Sequence, residues 1–212
     1  TLTLFPINTG SGSVSMANEI SVPGFPTGGG NDFGMTFSCD DTLYVTSTAA
    51  PPTLYELDFT GSLKVIGSRG ALGANISAIA AIGNPTRLFG LVNGQDQNGE
   101  TDSPNLYSID PVTGVATMVG PLGSQVGEYN QGGMAFDSDG ELWAITDRRI
   151  INNSIEDLPS QILRIDLETG TATVVSNTGQ IDETGEVGFE SLAIAPPSAC
   201  GNVVVPGTNA PN

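Results

Sequence analysis

Short apolar runs recur along this chain at a nearly constant distance, each closed by a polar turn. Leu54-Tyr55-Glu56-Leu57-Asp58, Leu106-Tyr107-Ser108-Ile109-Asp110 and Ile162-Leu163-Arg164-Ile165-Asp166 are copies of one phrase, with a weaker copy at Leu4-Phe5-Pro6-Ile7-Asn8. A Thr-Gly or lone Gly turn and a second apolar run follow each. Another phrase, Gly34-Met35-Thr36-Phe37 leading to Leu43-Tyr44-Val45, returns as Gly133-Met134-Ala135-Phe136 leading to Leu142-Trp143-Ala144. Degenerate versions occupy 77–92 and 191–205. A period of about fifty residues made of β-type runs predicts a radial repeat with one blade per unit.

Within the third unit the pattern predicts strands at 133–136, 142–146, 162–166 and 171–175. The first strand of each unit is expected innermost, because its copies are rich in Gly and Ala, as in Ala78-Ile79-Ala80-Ala81. Runs such as Leu106-Tyr107-Ser108-Ile109 carry apolar side chains on both strand faces and so need cover on both sides. The C-terminal unit supplies only an inner pair, 191–195 and 202–205, and the opening segment only an outer pair, 2–8 and 14–22. The expected fold is therefore all-β: a four-bladed β-propeller of four-stranded antiparallel blades in a single domain over 1–212. Its blades fall at 33–67, 76–120, 132–176, and 189–206 plus 1–22, the last shared between the chain ends in cis, or in trans in an assembly. Tight links gather on one face. The long links, 23–32, 67–75, 93–105, 120–132, 147–161 and 177–188, gather on the other and mark the expected working surface.

Charge narrows the partners. Against 23 acidic residues stand 6 basic ones, a net charge of -17 that repels phosphate backbones and anionic lipid, so neither nucleic acid nor membrane insertion is expected. No run approaches the ~20 apolar residues of a membrane helix. A low charged fraction of 14%, a surface of Gly, Ser, Thr and Asn, and a start at Thr1 read as a mature chain together predict an extracellular or cell-surface location. Cys39 and Cys200 fall in the turn after the same strand of their units, which predicts a disulfide joining first and last units; two isolated small hydrophobes are the alternative.

The chain contains no histidine, which removes Ser-His-Asp and Cys-His machinery and His-ligated metals. Carboxylates are the abundant catalytic type left, and Asp147, Glu156, Asp157, Asp182, Glu183, Glu186 and Glu190 belong to the loop-rich face. A glycosidase needs two of them, whereas most acidic loop residues are simply solvated. No cofactor is required; calcium is the candidate metal, at Asp96, Asn98 and Asp102 around Gly99, where spaced oxygen donors suit a hard cation. Asp137-Ser138-Asp139-Gly140 is explained by a hairpin turn without metal. Asn75-Ile76-Ser77 and Asn152-Asn153-Ser154 are glycosylation sequons on long links. Trp143 stands where Tyr44 and Phe89 stand in other units and reads as core. Arg148-Arg149, the one basic doublet, suits either an acidic patch on another subunit or local neutralisation of Glu156 and Asp157.

The Gly-Met-Ala-Phe-Asp-Ser-Asp-Gly-Glu-Leu-Trp stretch at 133–143, followed by Leu-x-x-Ile-Asp-x-x-Thr-Gly-x-Ala-Thr-x-Val, resembles repeats of secreted bacterial β-propellers, NHL-like and related extracellular families. The resemblance covers nearly the whole chain and implies a fold more than an activity, since such proteins include lactonases, peptide- or sugar-binding modules and structural proteins. A channel-metal lactonase needs acidic and amide groups on the inner strands, where only Glu190 is close. The leading expectation is a non-enzymatic extracellular subunit that self-associates into a filament or surface layer. Its contacts are assigned to Leu2, Leu4 and Ile7 of the terminal strand and to Arg148 and Arg149. The alternatives are a monomeric glycan- or peptide-binding module and a carboxylate-dependent hydrolase or lactonase.

Overall fold

In the computed structural model the repeat phrases become strands wherever apolar and β-branched residues alternate, and the polar phrases between them become turns. The structure describes residues 2–28, 31–92, 104–126, 128–129, 131–147, 149–151, 154–155, 160–178, 189 and 191–194. An opening hairpin pairs β1 (Leu2–Leu4) with β2 (Ile20–Val22), extended by a bridge from Ile7 to Val14. The first four-stranded sheet follows, with β3 (Met35–Phe37), β4 (Leu43–Ser47), β5 (Thr53–Leu57) and β6 (Leu63–Val65). The second holds β7 (Ile76–Ile82), β8 (Arg87–Val92), β9 (Asn105–Ile109) and β10 (Ala116–Pro121).

After the short β11 (Glu128–Tyr129), the third sheet opens with β12 (Gly132–Phe136) and β13 (Leu142–Thr146). The 147–161 link then carries its own hairpin, β14 (Arg149–Ile151) and β15 (Ser154–Ile155), which joins β11 in a small three-stranded sheet that the sequence pattern did not predict. β16 (Gln161–Ile165) and β17 (Ala172–Asn177) complete the third sheet. All pairings are antiparallel, and each four-stranded sheet runs up and down in chain order.

Three apolar layers lie between consecutive sheets. Val22, Leu43, Val45, Tyr55 and Leu57 fill the space between the opening hairpin and the first sheet, with Leu2 and Leu4 packed against them. Tyr44, Leu54 and Ile66 meet Ile76, Ile79, Leu88 and Ile109 between the first and second sheets. Ala80, Phe89, Leu91 and Leu106 meet Met134, Phe136, Leu142 and Leu163 between the second and third. Adjacent residues such as Leu54 and Tyr55, or Leu88 and Phe89, enter different layers, so strands apolar on both faces are covered twice as expected. Each fully buried Leu, Ile or Phe contributes about 1.5–3 kcal/mol.

The turn after each third strand explains the Asp and Gly of the repeat. The Oδ1 atoms of Asp58, Asp110 and Asp166 accept main-chain N–H groups two and three or four residues on, at 2.8–3.1 Å; the Thr60 hydroxyl first and then these bonds hold Asp58 below its usual pKa, and the main-chain bonds do so first for Asp110 and Asp166. Gly61, Gly114 and Gly170 close the turns at positive φ. A Cβ there would run into the carbonyls of Ser21, Ile66 and Gly120. Each turn therefore abuts the outer strand region of the unit before it, stacking hairpin and sheets in chain order.

Candidate functional site

The inner strands of the three large sheets and the segment at 191–192 border one cavity of about 440 Å³. Strand register aligns the units: Thr36 pairs with Tyr44, Ala80 with Phe89 and Ala135 with Trp143, which makes Met35, Ile79 and Met134 equivalent. Together with Leu192 they form the apolar part of the lining. One position earlier the strand backbones nearly touch. An added Cβ on Gly34 would lie 2.8–2.9 Å from main-chain atoms of Ala78 and Ile79, and one on Gly133 would overlap the main chain of Ser191 and Leu192. This close approach is why the phrase begins with Gly, as small inner-strand residues led us to expect.

One further position towards the long links, the units differ: Phe33, Ser77 and Gly132 stand there and all border the cavity. Phe33 is 47% exposed, its ring set edge-on to the buried Phe25 at 6.1 Å. The preceding residues of the first and third units make a polar pair at the rim, where Gln131 Nε2 donates to Asp32 Oδ1 at 2.6 Å. Asp32 is anchored by its main chain, whose N–H donates to Thr48 Oγ1 at 2.8 Å and whose carbonyl accepts the Thr48 N–H at 3.0 Å. Beside it, Asn31 ties the 23–32 link down through Ser47 Oγ, the Ala49 N–H and the Pro26 carbonyl. Gln131 is held in turn by the Asp147 N–H, which donates to its carbonyl at 2.7 Å.

Burial raises the pKa of the half-buried Asp32 carboxyl above the ordinary aspartate value, and the hydrogen bond from Gln131 offsets part of that rise. A carboxyl with a raised pKa, one hydrogen bond from the cavity lining at Gln131, is a candidate for proton transfer. The sequence reading missed Asp32 and Gln131. Each sits at the end of a long link directly before the inner-strand phrase, which was the available signal.

The residues singled out from the sequence are dispersed. Asp147 is buried rather than solvated on a loop. Glu156, Asp157, Asp182, Glu183, Glu186 and Glu190 lie outside the described residues, as do the calcium candidates Asp96, Asn98 and Asp102. Among the described residues no group of three or more Asp, Glu or Cys is placed to hold a metal ion. Asp137 Oδ1 accepts the N–H groups of Asp139 and Glu141, and its Oδ2 accepts Trp143 Nε1–H at 2.7 Å, so this turn is complete without metal and Trp143 is half-buried with its polar edge satisfied. Asn75 is half-buried immediately before β7, whereas Asn152 lies outside the described residues. Arg148 does too, and Arg149 is placed in β14 by its main chain. Leu2 is half-buried; Leu4 lines an apolar cleft of about 260 Å³ with Phe37 and Phe59, whose exposed rings stack at 5.9 Å, and Ile7 is 62% exposed. Cys39 is disulfide-bonded, and Cys200, the other cysteine of the chain, lies outside the described residues. No helix among the described residues is long and apolar enough to cross a membrane.

No protein-family model matches the chain, and no curated protein does. Among solved structures it is similar to a candidate exo-β-1,3-galactanase from Bifidobacterium bifidum s17, at 14% identity and a TM-score of 0.51 over 85% of this chain and 59% of that one. It also matches a luciferin-regenerating enzyme at 14% identity and a TM-score of 0.46, over 79% of this chain and 51% of the other. The chain thus spans between half and three-fifths of the length of these structures. The class defined is an all-β protein of stacked antiparallel sheets around a shared cavity. The expectation of a non-enzymatic subunit assembling into a filament or surface layer is corrected at this point. It rested on the lack of any catalytic grouping in the sequence, on long links gathered on one face and on a terminal strand pair that could be donated to a neighbour, yet the fold is shared with a protein named as a galactanase. Next to the cavity-lining Gln131, moreover, stands a half-buried carboxyl that local sequence does not reveal.

Proposed function

We propose that this chain is a saccharide-directed, carboxylate-dependent hydrolase whose site is the cavity between the inner strands. The observation that carries the reading is the Asp32–Gln131 pair: a half-buried carboxyl of raised pKa held by the amide of Gln131, which lines the cavity together with the half-exposed Phe33. A sugar ring presents an apolar face that stacks on an aromatic ring and hydroxyls that hydrogen-bond to amide and carboxyl groups. Protonated Asp32 gives its proton to the glycosidic oxygen as the C–O bond breaks. Water then adds its oxygen to the anomeric carbon while the second carboxylate that such a reaction needs, for which Glu190, the residue before the cavity-lining Ser191, is the candidate, takes the water proton. The galactanase named among the structural neighbours makes β-1,3-linked galactan the first substrate to try.

The architecture completing this site is a four-bladed propeller, its fourth blade shared between 1–22 and 189–206 and its ends tied by a Cys39–Cys200 disulfide in an extracellular setting. Three features support it: the chain-order stacking of turn on strand, the convergence of four segments on one cavity, and the exposed Phe37 and Phe59 beside β1, a surface that further strands would cover.

The test is hydrolysis of a polysaccharide and oligosaccharide panel, β-1,3-galactan included, by the protein and by Asp32→Asn. Turnover that falls about 10²–10⁴-fold in the variant is expected. Absence of any turnover or binding across the panel, or full activity in the variant, overturns the reading.

A further inference from the structure

The sequence singles out Ser77 only as the third residue of a glycosylation sequon, and the structure gives it different surroundings. It is 95% buried, being 5% exposed, and borders the cavity; its Oγ has no hydrogen-bond partner. Most buried hydroxyls find a protein partner, since an unmet one costs about 1–3 kcal/mol. The backbone is irregular at this residue. Ile76 pairs with Val92 and Ala78 with Leu91, so Ser77 is the extra residue of a β-bulge in the inner strand. The corresponding pairings of β3 with β4 and of β12 with β13 run without a shift. Bulges re-aim a side chain and are over-represented beside active sites.

From this we infer that Ser77 is a ligand-contacting, specificity-determining residue: its hydroxyl, buried as it stands, turns about χ1 to exchange a hydrogen bond with one particular hydroxyl of the bound saccharide. The inference rests on the saccharide reading above and deepens it. At the same level of the cavity the three units offer an aromatic ring at Phe33, a hydroxyl at Ser77 and no side chain at Gly132. These unlike groups give the site an orientation: one wall for an apolar sugar face, one for a hydroxyl edge and one of bare backbone, where the Ile145 carbonyl and the Tyr129 ring leave no room for a side chain. A ligand hydroxyl meeting Ser77 would satisfy a group the protein leaves unmatched, and a sugar lacking that hydroxyl would leave it unmatched again.

The experiment is titration calorimetry of the protein and Ser77→Ala with the methyl β-glycosides of galactose, glucose, mannose and xylose. It is followed by the set of singly deoxygenated forms of whichever binds. Wild type is expected to lose about threefold to tenfold in affinity for one deoxy sugar, with Ser77→Ala weakened equally for the parent sugar and indifferent to that deletion. Ser77→Ala that weakens every sugar alike while still discriminating among the deoxy forms overturns the inference and leaves the saccharide reading standing. Failure of the wild-type protein to bind any of the four glycosides overturns both. Circular dichroism of Ser77→Ala and Ser77→Thr guards against a folding defect, and Ser77→Thr, which keeps the hydroxyl, is expected to keep the discrimination.

Discussion

Replacing Gly34 by Ala tests whether neighbouring sheets meet as closely at the cavity as the strand backbones indicate. The added methyl would sit 2.8 Å from the Ile79 nitrogen and 2.9 Å from the Ala78 Cα and carbonyl carbon. Ordinary contact lies at about 3.5–4.0 Å, so roughly 0.6–1 Å of separation must be found. All three obstructing atoms are main chain, and β7 is tied to β8 along its length, so side-chain rotation cannot supply it. Overpacking of this kind costs about 1–3 kcal/mol, here at the upper end because a strand must move. Against it stands about 0.4–1 kcal/mol gained by restricting the unfolded chain. The balance is a loss of about 2 kcal/mol, or about 4–8 °C in Tm for a chain of this size. Gly28→Ala is the control: nothing lies within 4 Å of its added methyl, so only the unfolded-state gain operates and Tm holds or rises. Thermal unfolding followed by circular dichroism measures both. A Gly34→Ala protein as stable as the parent, or a Gly28→Ala protein equally weakened, would refute the reasoning.

Asp32→Asn also has a pH signature. Because burial raises the folded-state pKa, the native protein holds the Asp32 proton more tightly than the unfolded chain does. Stability from this group is complete below 3.8, the ordinary aspartate value that the unfolded chain keeps, and is lost as pH rises through the raised folded value. Urea unfolding across pH should show the Asn variant gaining on the parent as pH climbs through that window; a flat or inverted difference would sink the assignment. For the disulfide, non-reducing peptide mapping is expected to recover Cys39 linked to Cys200, and Cys39 joined to a second copy or open to alkylation would reject the proposed closure.

How far the sequence reached differs by feature. Strand positions in the third unit came within a residue or two, because apolar alternation and Asp-Gly turns are local signals that act through local physics. The hairpin inside 147–161 escaped, since its strands are two and three residues long and carry no repeat. The site escaped for a different reason. Asp32 and Gln131 are 99 residues apart and resemble any other polar residue of a link.

Taken alone, the order of residues determined the all-β class, the fifty-residue period, the Gly and Ala of the inner strands and the turn chemistry of Asp58, Asp110 and Asp166. Each depends on interactions within a few positions or on a pattern repeated along the chain. Tertiary structure decided which carboxyl is half-buried, which amide binds it and which serine of a bulge borders the cavity. Desolvation and apposition arise from the sheets packed around a residue, and neighbours along the chain do not encode them.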